Sequence, residues 1–219
     1  MDDTITKDGT AISHLIYSII KRFIDIIVGI LGILILLPVT IIIKMASVLN
    51  KDYAPIFYSH TRIGKNGKEF KLYKFRSMVP NADEVLMEML KDKKIADEYH
   101  KNKKLKNDPR ITKVGKIIRK TSLDEIPQFI NILKGEMSLV GNRPYLPREK
   151  EDMGKYYNDI VKTKPGITGY WQVSGRSELS FEERLDLDLE YYRDVAGVVS
   201  ELGLVVKTVE KTLKREGAA

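Results

Sequence analysis

The 219-residue chain contains no cysteine, which excludes disulfides and thiolate metal sites and leaves the redox compartment unread. Its three histidines, His14, His60 and His100, are too scattered to suggest a metal centre or a catalytic base. No G-x-x-x-x-G-K-[ST] and no G-x-G-x-x-G opening a helix after a strand is present, so both standard nucleotide fingerprints are missing. There is no G-x-S-x-G elbow, internal repeat or low-complexity segment. What remains is carboxylates, basic side chains and glycine loops. A net charge of +7 and a pI near 9.3 point to an anionic partner: nucleic acid, phospholipid headgroups or a phosphorylated substrate.

Hydrophobicity is ordinary overall and concentrated in one place. Ile26 to Ile43 runs eighteen residues without a charge, close to the lower limit for a helix that crosses a bilayer. Pro38 interrupts the run, and cations flank both ends: Lys21 and Arg22 ahead, Lys44 and Lys51 behind. Positive residues mark the cytoplasmic side. A bent helix that enters and leaves by one face accommodates that symmetry; a kinked single-pass helix is the alternative. Asp25 is costly in lipid unless it sits at headgroup level or pairs with Arg22. Residues 1–50 are thus expected to form an N-terminal segment with a re-entrant membrane helix, its first eighteen residues a frayed surface stretch. Residues 51–219 are expected to form a body packed on the cytoplasmic face of the membrane.

Ile56 to Ile63 and Lys68 to Phe75 flank Gly64-Lys65-Asn66-Gly67, a hairpin signal, with the strand ending or bulging at Lys74-Phe75. Pro80 to about Lys104 has helical period. Val114 to Arg119 forms a short basic helix. Ser180-x-x-Glu183 caps a further helix to about Asp194, and Val198 to Arg215 is amphipathic. Gly135 to Pro144 and Lys164 to Arg176 are rich in glycine and proline; such loops bring backbone N–H groups close to a ligand.

The central stretch is Arg119-Lys120-Thr121-Ser122-Leu123-Asp124-Glu125-Ile126-Pro127-Gln128. Pro127 suits the first position of a helix that Gly135 ends, which sets two adjacent carboxylates at its positive end. Ser122-x-x-Glu125 also matches a capping box, although that places Pro127 in the second turn. On spacing alone both readings stand.

Taken together, Lys74-Phe75-Arg76-Ser77-Met78, Ile118-Arg119-x-x-Ser122-Leu123-Asp124-Glu125-Ile126-Pro127-Gln128, Asn142-Arg143-Pro144 and Lys164-Pro165-Gly166-Ile167-Thr168-Gly169 resemble, in order, the motifs of bacterial sugar transferases. The chain is similar to the monotopic polyprenyl-phosphate phosphoglycosyl transferases in their small single-domain form, over roughly Lys21 to Arg215. The resemblance implies an α+β, mostly helical fold: a re-entrant membrane helix broken at Pro38, a short β-hairpin, interfacial helices and a loop-rich catalytic core. It implies transfer of a sugar 1-phosphate from a UDP-sugar to undecaprenyl phosphate, with release of UMP, at the cytoplasmic face of a bacterial inner membrane. That is the first membrane step of a glycoconjugate or polysaccharide.

By the same resemblance Asp124 is the nucleophile and Glu125 holds Mg²⁺. Lys74, Arg76, Arg119, Arg143, Gln172, Arg176 and Asp188 contact substrate or orient those that do. Leu37 stands where the family often has serine, and Asn142 where it usually has proline; neither touches the dyad. A homo-oligomer is left open. Two rival readings, a basic membrane-anchored adaptor without catalysis and a nucleic-acid binder, account for the charge but not for the dyad together with the apolar run.

Overall fold

The computed structural model describes residues 3–102, 105–175, 179–193 and 198–214. The chain begins with one long helix, α1 (Asp3–Leu49), so the stretch expected to be frayed is helical instead. Helical backbone continues through Pro38 without a change of state. Two residues on, Thr40 Oγ1 donates to the carbonyl of Leu36 at 2.7 Å, the i−4 back-bond that bends helices.

One stripe of α1 touches the rest of the protein, and its spacing follows the helical period. Lys21 and Asp25 reach β3 (Ser138–Val140), and Gly29 and Gly32 lie on α5 (Gln128–Lys134). Further on, Leu36, Val39, Ile43 and Ala46 pack with Phe75, Val114 and Ile118. The two glycines are required by the closeness of α5: a Cβ at Gly29 would lie 2.6 Å from Leu133 Cδ2, and one at Gly32 would enter the Phe129 ring. From Lys21 to Ser47 the docked stretch is about 39 Å long at 1.5 Å per residue. The opposite face, including Leu34, Leu37 and Ile42, is apolar and exposed. By length and composition Leu15–Leu49 could cross a membrane, and the helix suggests membrane association.

The flanking charges have definite partners. Arg22 donates to the carbonyls of Ile132 and Leu133 at the end of α5, 2.7 and 2.8 Å away. Asp25 is buried and pairs not with Arg22 but with Ser138 Oγ (3.0 Å) and the Leu139 N–H (2.8 Å). Burial of its charge is thus compensated by donors from β3.

The expected hairpin is present. β1 (Phe57–Ile63) pairs antiparallel with β2 (Glu69–Phe75), Phe57 opposite Phe75, and β2 ends there without a bulge. Asn66 and Gly67 take positive φ in the connecting turn. The helical period after Pro80 resolves into two helices, α2 (Ala82–Met89) and α3 (Lys93–Asn102). Asp92 divides them: its Oδ1 accepts from the N–H groups of Lys94 and Ile95, so it caps α3 rather than extending α2. α4 (Lys113–Lys120) is capped by Thr112 Oγ1, which accepts from the Gly115 N–H.

After α5, which Gly135 ends at φ +77, β3 pairs in parallel with β4 (Gly166–Thr168). Both strands lie in stretches expected to be loops. Between them come α6 (Lys150–Met153) and α7 (Tyr157–Ile160). α8 (Tyr170–Ser174), α9 (Phe181–Arg193) and α10 (Val198–Lys214) complete the chain. Ser180 and Glu183 form the reciprocal capping pair, Ser180 N–H to Glu183 Oε2 and Glu183 N–H to Ser180 Oγ. The fold is α+β and mostly helical, with two two-stranded sheets among the described residues.

Candidate active site

Asp124 and Glu125 lie in a single 3-10 turn, Leu123–Glu125, between α4 and α5. Ser122 precedes it with φ +57 and makes no side-chain cap, so the pattern Ser122-x-x-Glu125 is not a capping box. Left-handed backbone at a serine is uncommon and costs free energy; here it reverses the chain tightly after α4 and turns both carboxylates toward β2. Pro127 sits one residue ahead of its expected helical position, with α5 starting at Gln128.

Lys74, near the end of β2, closes the cluster. Its Nζ is 3.0 Å from Glu125 Oε1 and 3.5 Å from Asp124 Oδ2. Burial alone would lower the ammonium pKa, but Glu125 and Asp124 outweigh it and hold Lys74 above the ordinary range. Asp124 is also raised, against the influence of its partner. Burial raises its pKa most, Glu125 adds to the rise, and Lys74 and Arg119 pull it back. Two neighbouring carboxylates share one cation, and a carboxylate displaced in this way by burial and a specific charge partner is typical of reactive sites. Arg119 joins from α4, its Nε donating to Ser77 Oγ at 2.9 Å.

A second basic group follows β3. The Arg143 side chain pairs with Glu149 at 3.2 Å and lies over the Tyr145 ring. Burial alone would raise Glu149; Arg143 and the Leu146 N–H instead hold it below the ordinary carboxylate range. Asp188 Oδ2 accepts from the Arg143 N–H (3.0 Å) and from the Tyr145 hydroxyl (2.6 Å). Asp188 thus orients the Arg143 loop through its backbone. Asn142 is buried and holds the same loop, accepting from Thr163 Oγ1 at 2.8 Å.

Burial pushes Asp188 up to about 7. Its folded value lies above its unfolded one, so the folded state binds the extra proton. This contribution to stability is complete below about pH 4 and lost as pH rises to about 7, on the order of 4 kcal/mol at most. Asp188→Asn keeps an acceptor for both donors and removes the titration. Chemical denaturation should show wild type losing stability relative to this variant between pH 4 and 7; parallel curves would contradict the assignment.

The remaining expected residues are placed differently. Arg76 is not brought to the dyad: its guanidinium binds the carbonyls of Pro55 and Met78 and the Asp52 carboxylate (2.7 Å), tying the hairpin to the turn before it. Gln172 is buried in α8, its Nε2 donating to the carbonyl of Ile167. Its Oε1 has no partner among the described residues. Arg176 lies outside the described residues. Sequence reasoning passed over Glu149 and Arg62, neither of which belongs to a recognisable motif. A small cavity of about 20 Å³ between α1, β3 and α10 holds no more than a water molecule and lies away from the dyad.

Hard oxygen donors are available for a metal ion. Among the described residues no three histidine or acidic side chains gather into an all-protein metal site. Glu125, half-buried, has one carboxylate oxygen on Lys74 and its Oε2 without a hydrogen-bond partner among the described residues. That fits the usual mode of Mg²⁺, which takes one or two carboxylates and completes its shell with substrate phosphates and water.

An apolar helix docked along its length on a small α+β body suggests membrane association, and the body carries a carboxylate pair under a lysine with arginines nearby. The chain belongs to the bacterial sugar transferase family, whose sequence model matches residues 16–215. It is 44% identical over 203 residues to the undecaprenyl-phosphate galactose phosphotransferase of Salmonella typhimurium, covering 91% of this chain and 41% of that protein. It is 36% identical over 208 residues to the UDP-glucose:undecaprenyl-phosphate glucose-1-phosphate transferase of Escherichia coli, covering 91% and 41%. With an exopolysaccharide production protein, ExoY, of Sinorhizobium fredii it shares 40% identity over 199 residues, 90% of this chain and 87% of the other. The chain thus spans about two fifths of the length of the first two relatives and most of the third.

Proposed function

We propose that this protein transfers a sugar 1-phosphate from a UDP-sugar to undecaprenyl phosphate through a covalent phosphosugar on Asp124, releasing UMP. The observation that carries this reading is the buried Asp124 beside Glu125 under Lys74. The names of the similar phosphotransferases agree with it.

An Asp124 carboxylate oxygen attacks the β-phosphorus of the UDP-sugar. The bond from that phosphorus to the bridging oxygen breaks, and the electron pair leaves with UMP. The resulting acyl phosphate keeps the transfer potential needed to make a diphosphate. A phosphate oxygen of undecaprenyl phosphate then attacks the same phosphorus, breaks its bond to Asp124 and restores the carboxylate. Lys74 favours the ionised form of Asp124 against burial, and Arg119 offers positive charge on the α4 side. Glu125 would hold Mg²⁺, which when bound neutralises the diphosphate and lowers its repulsion of the carboxylate.

The docking of α1 supports a one-sided membrane association. A helix leaving a body at the surface to cross the bilayer would not stay in contact with it for about 39 Å. In this reading residues 51–219 lie on the cytoplasmic face and α1 lies in the same leaflet.

Release of UMP from a panel of UDP-sugars, with undecaprenyl phosphate and Mg²⁺ in nanodiscs, tests the activity. Turnover should need both substrates, and Glu125→Gln should lower it about 10²–10³-fold while altering its Mg²⁺ dependence. No UMP release across the panel would leave the adaptor reading in its place.

A further inference from the structure

The inner face of the β-hairpin carries a basic feature that the dyad chemistry does not use. Residues 58, 60 and 62 of β1 share one face, and Tyr58 is opposite Lys74. Arg62 is therefore four residues, about 13 Å, along the strand from the register position of Lys74. Its side chain leans back along that line: Nε donates to His60 Nε2 at 2.8 Å. Its Nη1 donates at 2.8 Å to the carbonyl of Pro144, the residue after Arg143. The guanidinium is thus fixed at two points, beside the Arg143 loop and near enough to Lys74 for the two charges to repel.

The charges around it are unbalanced. Lys74 has Asp124 and Glu125, and Arg143 has Glu149. Among the described residues no carboxylate lies within 4.0 Å of Arg62. Burial and Arg143 pull its pKa down to about 9, and Glu149, already engaged by Arg143, offsets only part of that fall. Arg62 therefore stays charged at neutral pH without a counter-ion in contact. His60 is neutral, since burial and the surrounding Arg62, Lys74, Arg143 and Arg148 lower it to about 3. A neutral imidazole that accepts at Nε2 carries its proton on Nδ1, which makes His60 a dedicated acceptor for Arg62.

We propose that Arg62, positioned by His60 and paired with the Arg143 loop, is a second phosphate subsite that takes the nucleotide-side phosphate of a nucleoside diphosphate donor. The assignment rests on the transfer reading given above and supplies what the dyad lacks. While the β-phosphorus is attacked at Asp124, the departing phosphate gains negative charge, and a prearranged guanidinium offers forked donors to it.

UDP serves as probe, because it carries the diphosphate and undergoes no transfer. With the full chain in nanodiscs, calorimetry should show wild type binding UDP. Arg62→Gln should weaken UDP about ten- to a hundredfold, the value of a charge-assisted contact, and raise KM for the UDP-sugar by a similar factor. KM for undecaprenyl phosphate should not change. His60→Gln, whose amide oxygen can accept from Arg62 Nε, should stay within about twofold of wild type, whereas His60→Leu should follow Arg62→Gln. Should Arg62→Gln not fold, Arg62→Lys keeps the charge without the fork, and with an unchanged melting temperature it must still lose affinity.

Undiminished UDP affinity in the Arg62 variants would overturn the subsite. A rise in KM for undecaprenyl phosphate alone would assign Arg62 to the acceptor lipid and equally overturn it. UDP binding through Arg62 without UMP release from any UDP-sugar would refute the transfer reading and leave the subsite standing.

Discussion

Asp124→Asn is expected to abolish turnover, by about 10⁴-fold or more, while leaving the protein folded with a melting temperature near that of wild type. The two halves of this expectation have different origins. An amide is a poor nucleophile and cannot form the acyl phosphate, so both chemical steps are lost. Stability should hold because burial already disfavours the charged form of Asp124, so a neutral isostere forgoes little. Lys74 retains Glu125 at 3.0 Å, and the side-chain oxygen of the introduced amide remains an acceptor for it. A helix-capping carboxylate would behave in the opposite way, losing about 1 kcal/mol of stability and no activity.

The second large effect is expected at Lys74. Lys74→Met removes the cation shared by the two carboxylates and puts a chain of similar length in its place. Glu125 and burial then act on Asp124 without the main influence that lowers its pKa, which must rise further. Since the nucleophile is the ionised form, activity appears as pH rises through the titration of Asp124. The acidic limb of the pH–rate profile should move to higher pH in Lys74→Met, and turnover at neutral pH should fall about 10²–10³-fold. Lys74→Arg should restore part of the pH limb and less of the rate, because the larger planar guanidinium keeps the charge but cannot occupy the place of a compact ammonium without moving the carboxylates. A lower rate with an unmoved limb would assign Lys74 to phosphate contact alone.

Local signals in the sequence were legible where local chemistry decides the structure. Gly64-Lys65-Asn66-Gly67 supplies two positive-φ residues at the hairpin turn, and Gly135 supplies the left-handed end of α5. The Ser180–Glu183 box is satisfied by its own two side chains. The pattern Ser122-x-x-Glu125 has the same spacing and a different outcome, because Pro127 cannot donate in a second turn and Lys74, distant in sequence, claims Glu125. Asp92 lies inside the helical period that follows Pro80, although its carboxylate caps the next helix. β3 and β4 are three residues each and pair across more than twenty residues of chain, so neither carries enough alternation to announce itself.

In the site the motif residues near the dyad, Lys74 and Arg119, were legible through resemblance. Arg76, in the same motif as Lys74, turned out to hold the Asp52 turn, since it follows the end of β2 and its side chain is claimed by the segment leading into the hairpin. Arg62 and His60 were illegible for the complementary reason: what aligns them with Lys74 is the register of the hairpin and the approach of Pro144. Asp25, a costly charge in an apolar helix when seen in sequence alone, is the acceptor that fastens α1 to β3.

The central claim is that Asp124 becomes covalently attached to a sugar phosphate. Intact-protein mass spectrometry, after mixing wild type with UDP-sugar and Mg²⁺ in the absence of undecaprenyl phosphate, tests it most directly. The account predicts a mass increase equal to one sugar phosphate, mapping to the peptide containing Asp124 and discharged when undecaprenyl phosphate is added. A wild type that turns over both substrates at full rate and never carries that mass, with Asp124→Asn equally active, would contradict it.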